Sequence, residues 1–187
     1  MQAILGKKLK MSQIWKGDKV VPVTIVEAKP NQVSAVRTQD KNGYGAIQLM
    51  LGKARREFKI SGDLKIGDSI DVSVLNEGDK IVVSGTSKGR GFQGVVKRHG
   101  FHGGPKTRGQ KNRHRAPGSI GSTAPQRVFP GRRMAGHMGS DRITLKNIEV
   151  VQIDKEKNQL FLKGAVPGAI GSLVEIRTMA VAKSKKS

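Results

Sequence analysis

The sequence predicts a mainly β fold, a barrel or sandwich interrupted by a long, mostly irregular basic insertion. Three observations predict it. Short β-branched or alternating runs separated by turn residues recur early and late in the chain. Between them, Gly85 to Ser140 spans 56 residues with thirteen Gly, twelve Lys or Arg and no Asp or Glu. Only twelve residues of that stretch are apolar, against 55 of the other 131. So little apolar surface cannot offset the entropy of ordering the segment, whereas the flanks can supply a core.

In order, Val20 to Val26 (VVPVTIV) reads as a strand. Pro22 places it at an edge or a bulge, because proline has no N–H to offer a neighbour. Val33 to Thr38 and Tyr44 to Leu51 flank Asp40-Lys-Asn-Gly43, whose Asn-Gly pair signals a hairpin. Met50 to Phe58 reads as a short helix, although Gly52 weakens it. Ile70 to Val74 alternates as a half-buried strand does, and Ile81 to Val83 follows the turn at Asn76 to Asp79.

Beyond the insertion, Ile143 and Leu145 share one parity while Ile148 and Val150 take the other, which predicts a bulge near Asn147. Ile153 and Leu160 to Leu162 enclose the turn at Asp154 to Gln159, and Val174 to Ile176 forms a last short strand. Residues 181–187 are a polar basic tail expected to fray. Strands on both sides of the centre favour one β domain, built from residues 1–84 and 141–180 with 85–140 inserted. Two separate domains is the weaker arrangement, since the C-terminal strands alone make a meagre core.

The net charge of +21 divides into +12 in the insertion and +9 elsewhere. A field of one sign this strong suits a polyanion. A membrane partner would want a wide apolar helix face, which the Gly and Pro of the insertion prevent. A solvated surface mixes signs, whereas Lys80 to Ser140 runs 61 residues without an acid. Nucleic acid is the expected partner. There is no cysteine, which excludes disulfides and thiolate zinc sites. The opening MQAILGKKLKMSQIW lacks the apolar stretch of a signal peptide, so an intracellular, cytoplasmic protein is expected.

Motifs that suggest chemistry lack their partners. Gly89-Arg-Gly-Phe-Gln-Gly94 fits G-x-G-x-x-G, but no acid follows about 20 residues on to hold a ribose. His99, His102, His114 and His137 have no carboxylate nearby to orient a catalyst or complete a metal site. Ser119 lacks the glycine two residues before it that a nucleophile elbow needs. No enzyme, cofactor, metal or small-molecule substrate is expected. The histidines fit stacking on, or bonding to, nucleotides. Phe92, Phe101 and Phe129 either stack on bases or anchor the insertion to its own domain.

Four blocks, GTSKGRGFQGVVKRHGF, HRAPGSIGS, RVFPGRRMAGHMG and KGAVPGAIGS, occur in this order, after an opening GKKLKMSQIW and a PVTIVEA run. Together they closely resemble the bacterial-type form of the universal large-subunit ribosomal protein three, over essentially the whole chain. The resemblance implies a β-barrel of the kind shared with translation factors, and a central insertion that threads into large-subunit rRNA. It implies neighbouring large-subunit ribosomal proteins as further partners, and Arg132 to Gly139 as a tip directed at the peptidyl transferase centre. Some members carry an amide-methylated glutamine where His137 stands, and the segment between Leu51 and Leu64 is shorter than in many.

The expected function is therefore structural: rRNA binding, support of subunit assembly and buttressing of the catalytic RNA. The alternative is a transient RNA-binding or translation-factor-like module. Lys88, Arg90, Lys97, Arg98, His99, His102, Lys106, Arg108, Lys111, Arg113, His114, Arg115, Arg127, Arg132 and Arg133 are the expected rRNA contacts. Arginine suits bidentate phosphate contact and stacking. Arg133, Met134, His137 and Met138 are expected at the tip, where Met and His are adaptable side chains rather than catalysts.

Overall fold

The computed structural model describes residues 2–59 and 64–178. Its strands, in chain order, are β1 (Ala3–Lys16), β2 (Lys19–Glu27), β3 (Asn31–Arg37), β4 (Ala46–Leu51), β5 (Ala54–Phe58), β6 (Ser69–Ile70), β7 (Lys80–Thr86), β8 (Phe92–Gln93), β9 (Gly136–His137), β10 (Arg142–Asp154), β11 (Gln159–Lys163) and β12 (Leu173–Thr178). Two short helices, α1 (Gln39–Asn42) and α2 (Val95–His99), complete the elements. The fold is mainly β, as expected. Chain contacts divide it into two units: one built from both ends of the chain, through Lys88 and again from Arg142, and one comprising Gly89–Asp141.

In the first unit, six antiparallel strands close into a barrel in the order β1, β12, β7, β10, β11, β2. Strands from both sides of the centre interleave in this ring. Period-two alternation fills it: Ile4, Val26, Ile81, Val83, Val150, Leu160, Leu162, Val174 and Ile176 point to one shared core. Val166, Val72 and Leu75 add to the same cluster from loops. The opposite parity of β1 places Ala3 and Leu5 in a second cluster with Val33, Ile47, Leu49, Phe58 and Ile70. A four-stranded sheet, β5-β4-β3-β6, supplies that second layer.

Asn31 ties the layers together. The β1–β2 ladder begins at Lys7 opposite Glu27. Nearer the N-terminus, the Asn31 amide accepts from the Leu5 N–H (3.2 Å) and donates to its carbonyl (3.1 Å). A fully buried polar side chain is thus paired as a strand residue would be.

Several expectations hold in detail. Pro22 lies just past the last β11–β2 pair, Lys163 with Val23, although β2 is no edge strand: it runs between β1 and β11 in the ring, and Pro22 stands opposite Gln13. The β7–β10 register shifts between Leu145 and Ile148, where Asn147 takes a left-handed φ of 60°, as the parity change predicts. The strands around Asn42-Gly43 do pair with each other. Their connection, however, is the single helical turn α1, closed by Gly43 at φ 74°, and not a two-residue turn.

Other expectations are corrected. Met50 to Phe58 is no helix: Gly52 at φ 59° turns β4 into β5, and Phe58 sits opposite Ile47 in the second cluster. Pairing of Ala54 to Phe58 along β4, with Phe58 as the one buried side chain of β5, outweighs helical propensity. Ile70 to Val74 is only briefly a strand; after Ile70 it becomes a 3₁₀ turn, Val72–Val74, that drops Val72 into the barrel core. β1, the longest strand, was not expected, because Lys7, Lys8 and Lys10 hide its alternation. The basic tail, residues 181–187, lies outside the described residues.

Candidate nucleic-acid interface

In the unit Gly89–Asp141 the expectation of a poor core is realised side chain by side chain. Val95 is its one buried residue. Backbone pairing gives it form instead. GRGFQG and AGHMG meet as the ribbon β8–β9, with Phe92 opposite His137. The Arg90 N–H donates to the Met138 carbonyl (2.9 Å) and the Met138 N–H to the Gly91 carbonyl (3.0 Å). The G-x-G-x-x-G therefore lies on a ribbon, followed by the five residues of α2 ending at Gly100 (φ 74°).

Glycine also allows a backbone crossing. The Gly104 N–H donates to the His114 carbonyl at 3.0 Å. A Cβ on Gly104 would stand 2.7 Å from the Arg113 carbonyl, and one on Gly103 would overlap that of His114. Here glycine brings chain against chain.

The side chains of α2 reach the segment around Met134. Arg98 Nη1 and His99 Nε2 both donate to the Met134 carbonyl, at 2.8 and 3.0 Å. His114 Nδ1 donates to the Pro105 carbonyl at 3.1 Å, and Arg132 bonds the Ser119 carbonyl. Two clefts result. One, of 610 Å³, brings together His99, His102, Arg113 and Arg133 between glycine walls. The other, of 450 Å³, brings together His102, Lys106, His114 and Arg115. Lys88, Arg90, Lys97, Arg98, Arg108, Lys111, Arg127 and Arg132 line neither cleft; Lys88 belongs to the first unit.

All twelve cations from Lys88 to Arg133 are exposed, and the sequence around them offers no carboxylate. The barrel unit handles its charge differently. Glu149 bridges Lys16 and Lys163, and Glu175 bridges Arg56 and Arg142. The hydrogen bond from Lys163, then that from Lys16, holds the Glu149 carboxyl below its ordinary range. The Tyr44 hydroxyl does the same for Glu57. Ion pairs thus join several charges of the barrel unit, whereas the stretch Lys80 to Ser140 supplies no acid to its cations.

Of the aromatic residues, Phe92 (76% exposed) and Phe129 (58%) stand free of any core. Phe101 is half-buried, its ring tilted against His99 at 6.1 Å. Met134 is exposed, and His137 and Met138 are fixed through the ribbon backbone.

Sequence reasoning missed Lys8. It is only 8% exposed, and its ammonium donates to the carbonyls of Val166 (2.6 Å) and Gly168 (3.0 Å). Burial, then the charge of Lys88, lowers its pKa. No spacing in the sequence signals this, because the two carbonyls lie 158 and 160 residues away, in the KGAVPGAIGS block.

The family model for Ribosomal protein L3 matches residues 39–161. A Large ribosomal subunit protein uL3 of Herpetosiphon aurantiacus is 49% identical, covering 99% of this chain and all of that protein. Proteins of the same name from Dehalococcoides mccartyi and Deinococcus radiodurans are 47% and 44% identical, covering 95% and 100% of this chain and 98% and 99% of their own lengths. No helix among the described residues is long and apolar enough to cross a membrane. The chain belongs to the ribosomal protein L3 family, a family of structural ribosomal proteins and not of enzymes.

Proposed function

We propose that this chain is a structural constituent of the large ribosomal subunit in the cytoplasm, and that the segment 85–140 is its rRNA-binding part. The observation that carries this is that the unit Gly89–Asp141 holds eleven exposed cations, Arg90 to Arg133, and one buried side chain, with no acid between Lys80 and Ser140. Such a unit gains stability from a polyanion in place of a core. Lys88, Arg90, Lys97, Lys106, Lys111 and the arginines through Arg133 contact phosphates. His99, His102 and His114 contact nucleotides beside them. The barrel, formed by residues 1–84 and 141–180, supplies the surface for neighbouring ribosomal proteins. Residues Arg132 to Gly139 buttress the peptidyl transferase centre, with Arg133, Met134, His137 and Met138 tuning its surroundings.

Hydroxyl-radical footprinting on large-subunit rRNA tests this, together with binding at several salt concentrations. If six to ten phosphates are neutralised, affinity falls by roughly 10³–10⁵ between 50 and 200 mM salt. A salt-independent affinity, or a footprint that survives deletion of residues 89–141, sinks the reading. Loss of the protein from isolated subunits in a high-salt wash would favour a transient translation-factor-like module.

A further inference from the structure

From the hydrogen bonds of two histidines we infer that His99 and His114 each accept a hydrogen bond from a ribose 2′-hydroxyl, making them sugar readers and not phosphate binders. The inference rests on the rRNA-binding reading above and adds the chemical group recognised.

A carbonyl oxygen has lone pairs and no proton, so a ring nitrogen bonded to one must be the donor. His99 therefore carries its proton on Nε2, facing Met134, and His114 on Nδ1, facing Pro105. In a neutral imidazole the opposite nitrogen is then a bare acceptor. That leaves Nδ1 of His99 and Nε2 of His114 to accept and not to donate. A phosphate has nothing to give them, whereas a 2′-hydroxyl both donates and accepts.

The cleft linings select the sugar over the base. Each histidine shares its cleft with two guanidinium or ammonium groups: Arg113 and Arg133 beside His99, and Lys106 and Arg115 beside His114. Those cations hold the phosphate, which brings the attached ribose alongside the ring. Gly100, Gly103, Gly104 and Gly118 leave part of the first cleft's wall without side chains, which lets backbone approach a sugar closely. Gln110 is the one amide side chain lining that cleft, and the cleft's arginines are taken up by the phosphate.

The test is analogue interference on the large-subunit rRNA fragment that the full chain protects, with 2′-deoxy α-thio nucleotides set against α-thio nucleotides alone. The chain has no cysteine, so single cysteines at Gln110 and Val96, each tethering an iron chelate, assign nucleotides to the two clefts. We expect a 2′-deoxy interference site in each assigned region. His99→Phe and His114→Phe should each erase one site and weaken binding roughly two- to tenfold. The salt slope should stay unchanged. Arg113→Ala and Arg115→Ala should lower the salt slope by about one each and leave the 2′-deoxy sites in place.

Wild-type protein that binds with a steep salt slope but shows no 2′-deoxy interference in these regions overturns the inference alone. So does interference by the α-thio substitution that disappears with the histidines, because the partner would then be phosphate. Absence of rRNA binding altogether removes the functional reading as well.

Discussion

Arg98 and His99, neighbours on α2, converge on one acceptor: both donate to the main-chain carbonyl of Met134, some 35 residues further on. The two bonds are redundant, so each partly covers for the other. Effects of such a pair are not additive. Arg98→Ala or His99→Ala alone should leave the Met134 segment largely held, whereas the double variant releases it. Tryptic cleavage after Arg132 and Arg133 in the RNA-free protein reads this out. We expect a small rise in rate for each single variant and roughly a tenfold rise for the double, as local opening becomes easier. Equal, additive increases would show that the convergence holds nothing.

Lys8 holds the segment Lys163 to Ser172 from inside. Its ammonium serves Val166 and Gly168, while its own backbone exchanges hydrogen bonds with Ser172 (3.0 Å) and Gly171 (2.7 Å). Lys8→Met keeps most of the apolar stem but strands two carbonyls at the barrel end. The expected loss is about 2 kcal/mol, since buried acceptors left unpaired carry their full desolvation cost. Urea unfolding followed by far-UV circular dichroism measures it. A variant as stable as the parent would mean that the carbonyls find water.

How much of this was legible in advance follows from what each segment depends on. The barrel's later strands were legible because Val174, Ile176, Leu160 and Leu162 alternate within a few residues, and parity alone locates the bulge at Asn147. The character of residues 85–140 was legible from composition, since missing carboxylates and missing apolar residues are facts of the sequence. β1 was not, because its buried residues answer to two cores on opposite faces and its lysines break the pattern. Nor were the clefts. They depend on which carbonyl each histidine meets, and Met134 and Pro105 are chosen by tertiary approach that no spacing rule encodes. Gly103 and Gly104 read as generic flexibility, yet their role is a crossing with His114 and Arg113.

Glu149 gives the barrel a pH dependence of defined sign. The hydrogen bond from Lys163 (2.9 Å), then that from Lys16 (3.4 Å), keeps its carboxyl below the usual carboxylate range. A carboxyl depressed in the folded state adds stability above its unfolded pKa, and that stability is lost as pH falls through the folded value. Glu149→Gln should therefore melt slightly below the parent at pH 7, with the gap closing in acid below the ordinary carboxylate pKa of about 4.3. The pair is exposed, so the gap should be small and should shrink in high salt. A difference that persists unchanged at pH 3 would assign the effect to packing.

Removing Arg132 to Gly139 separates the tip from the barrel. Within its own unit the deletion takes away β9, the Met134 carbonyl that receives α2, and the Met138 backbone that pairs with Arg90 and Gly91. None of these atoms contributes to the clusters around Leu160 and Ile176 or around Leu49 and Phe58. The thermal midpoint of the barrel should stay within about a degree of the parent, because distant sites without shared partners act independently. The cost should fall on function instead. On the proposed function, large subunits reconstituted with the deleted chain should assemble late or form peptide bonds slowly, since the proposal has Met134, His137 and Met138 pack beside the catalytic RNA. Measuring both the melting of the free protein and the peptidyl-transfer rate of reconstituted subunits keeps the two effects apart. Fully active subunits would refute the tip assignment while leaving the barrel and the cationic segment as described. A collapse of the barrel would instead show that residues 132–139 serve the fold.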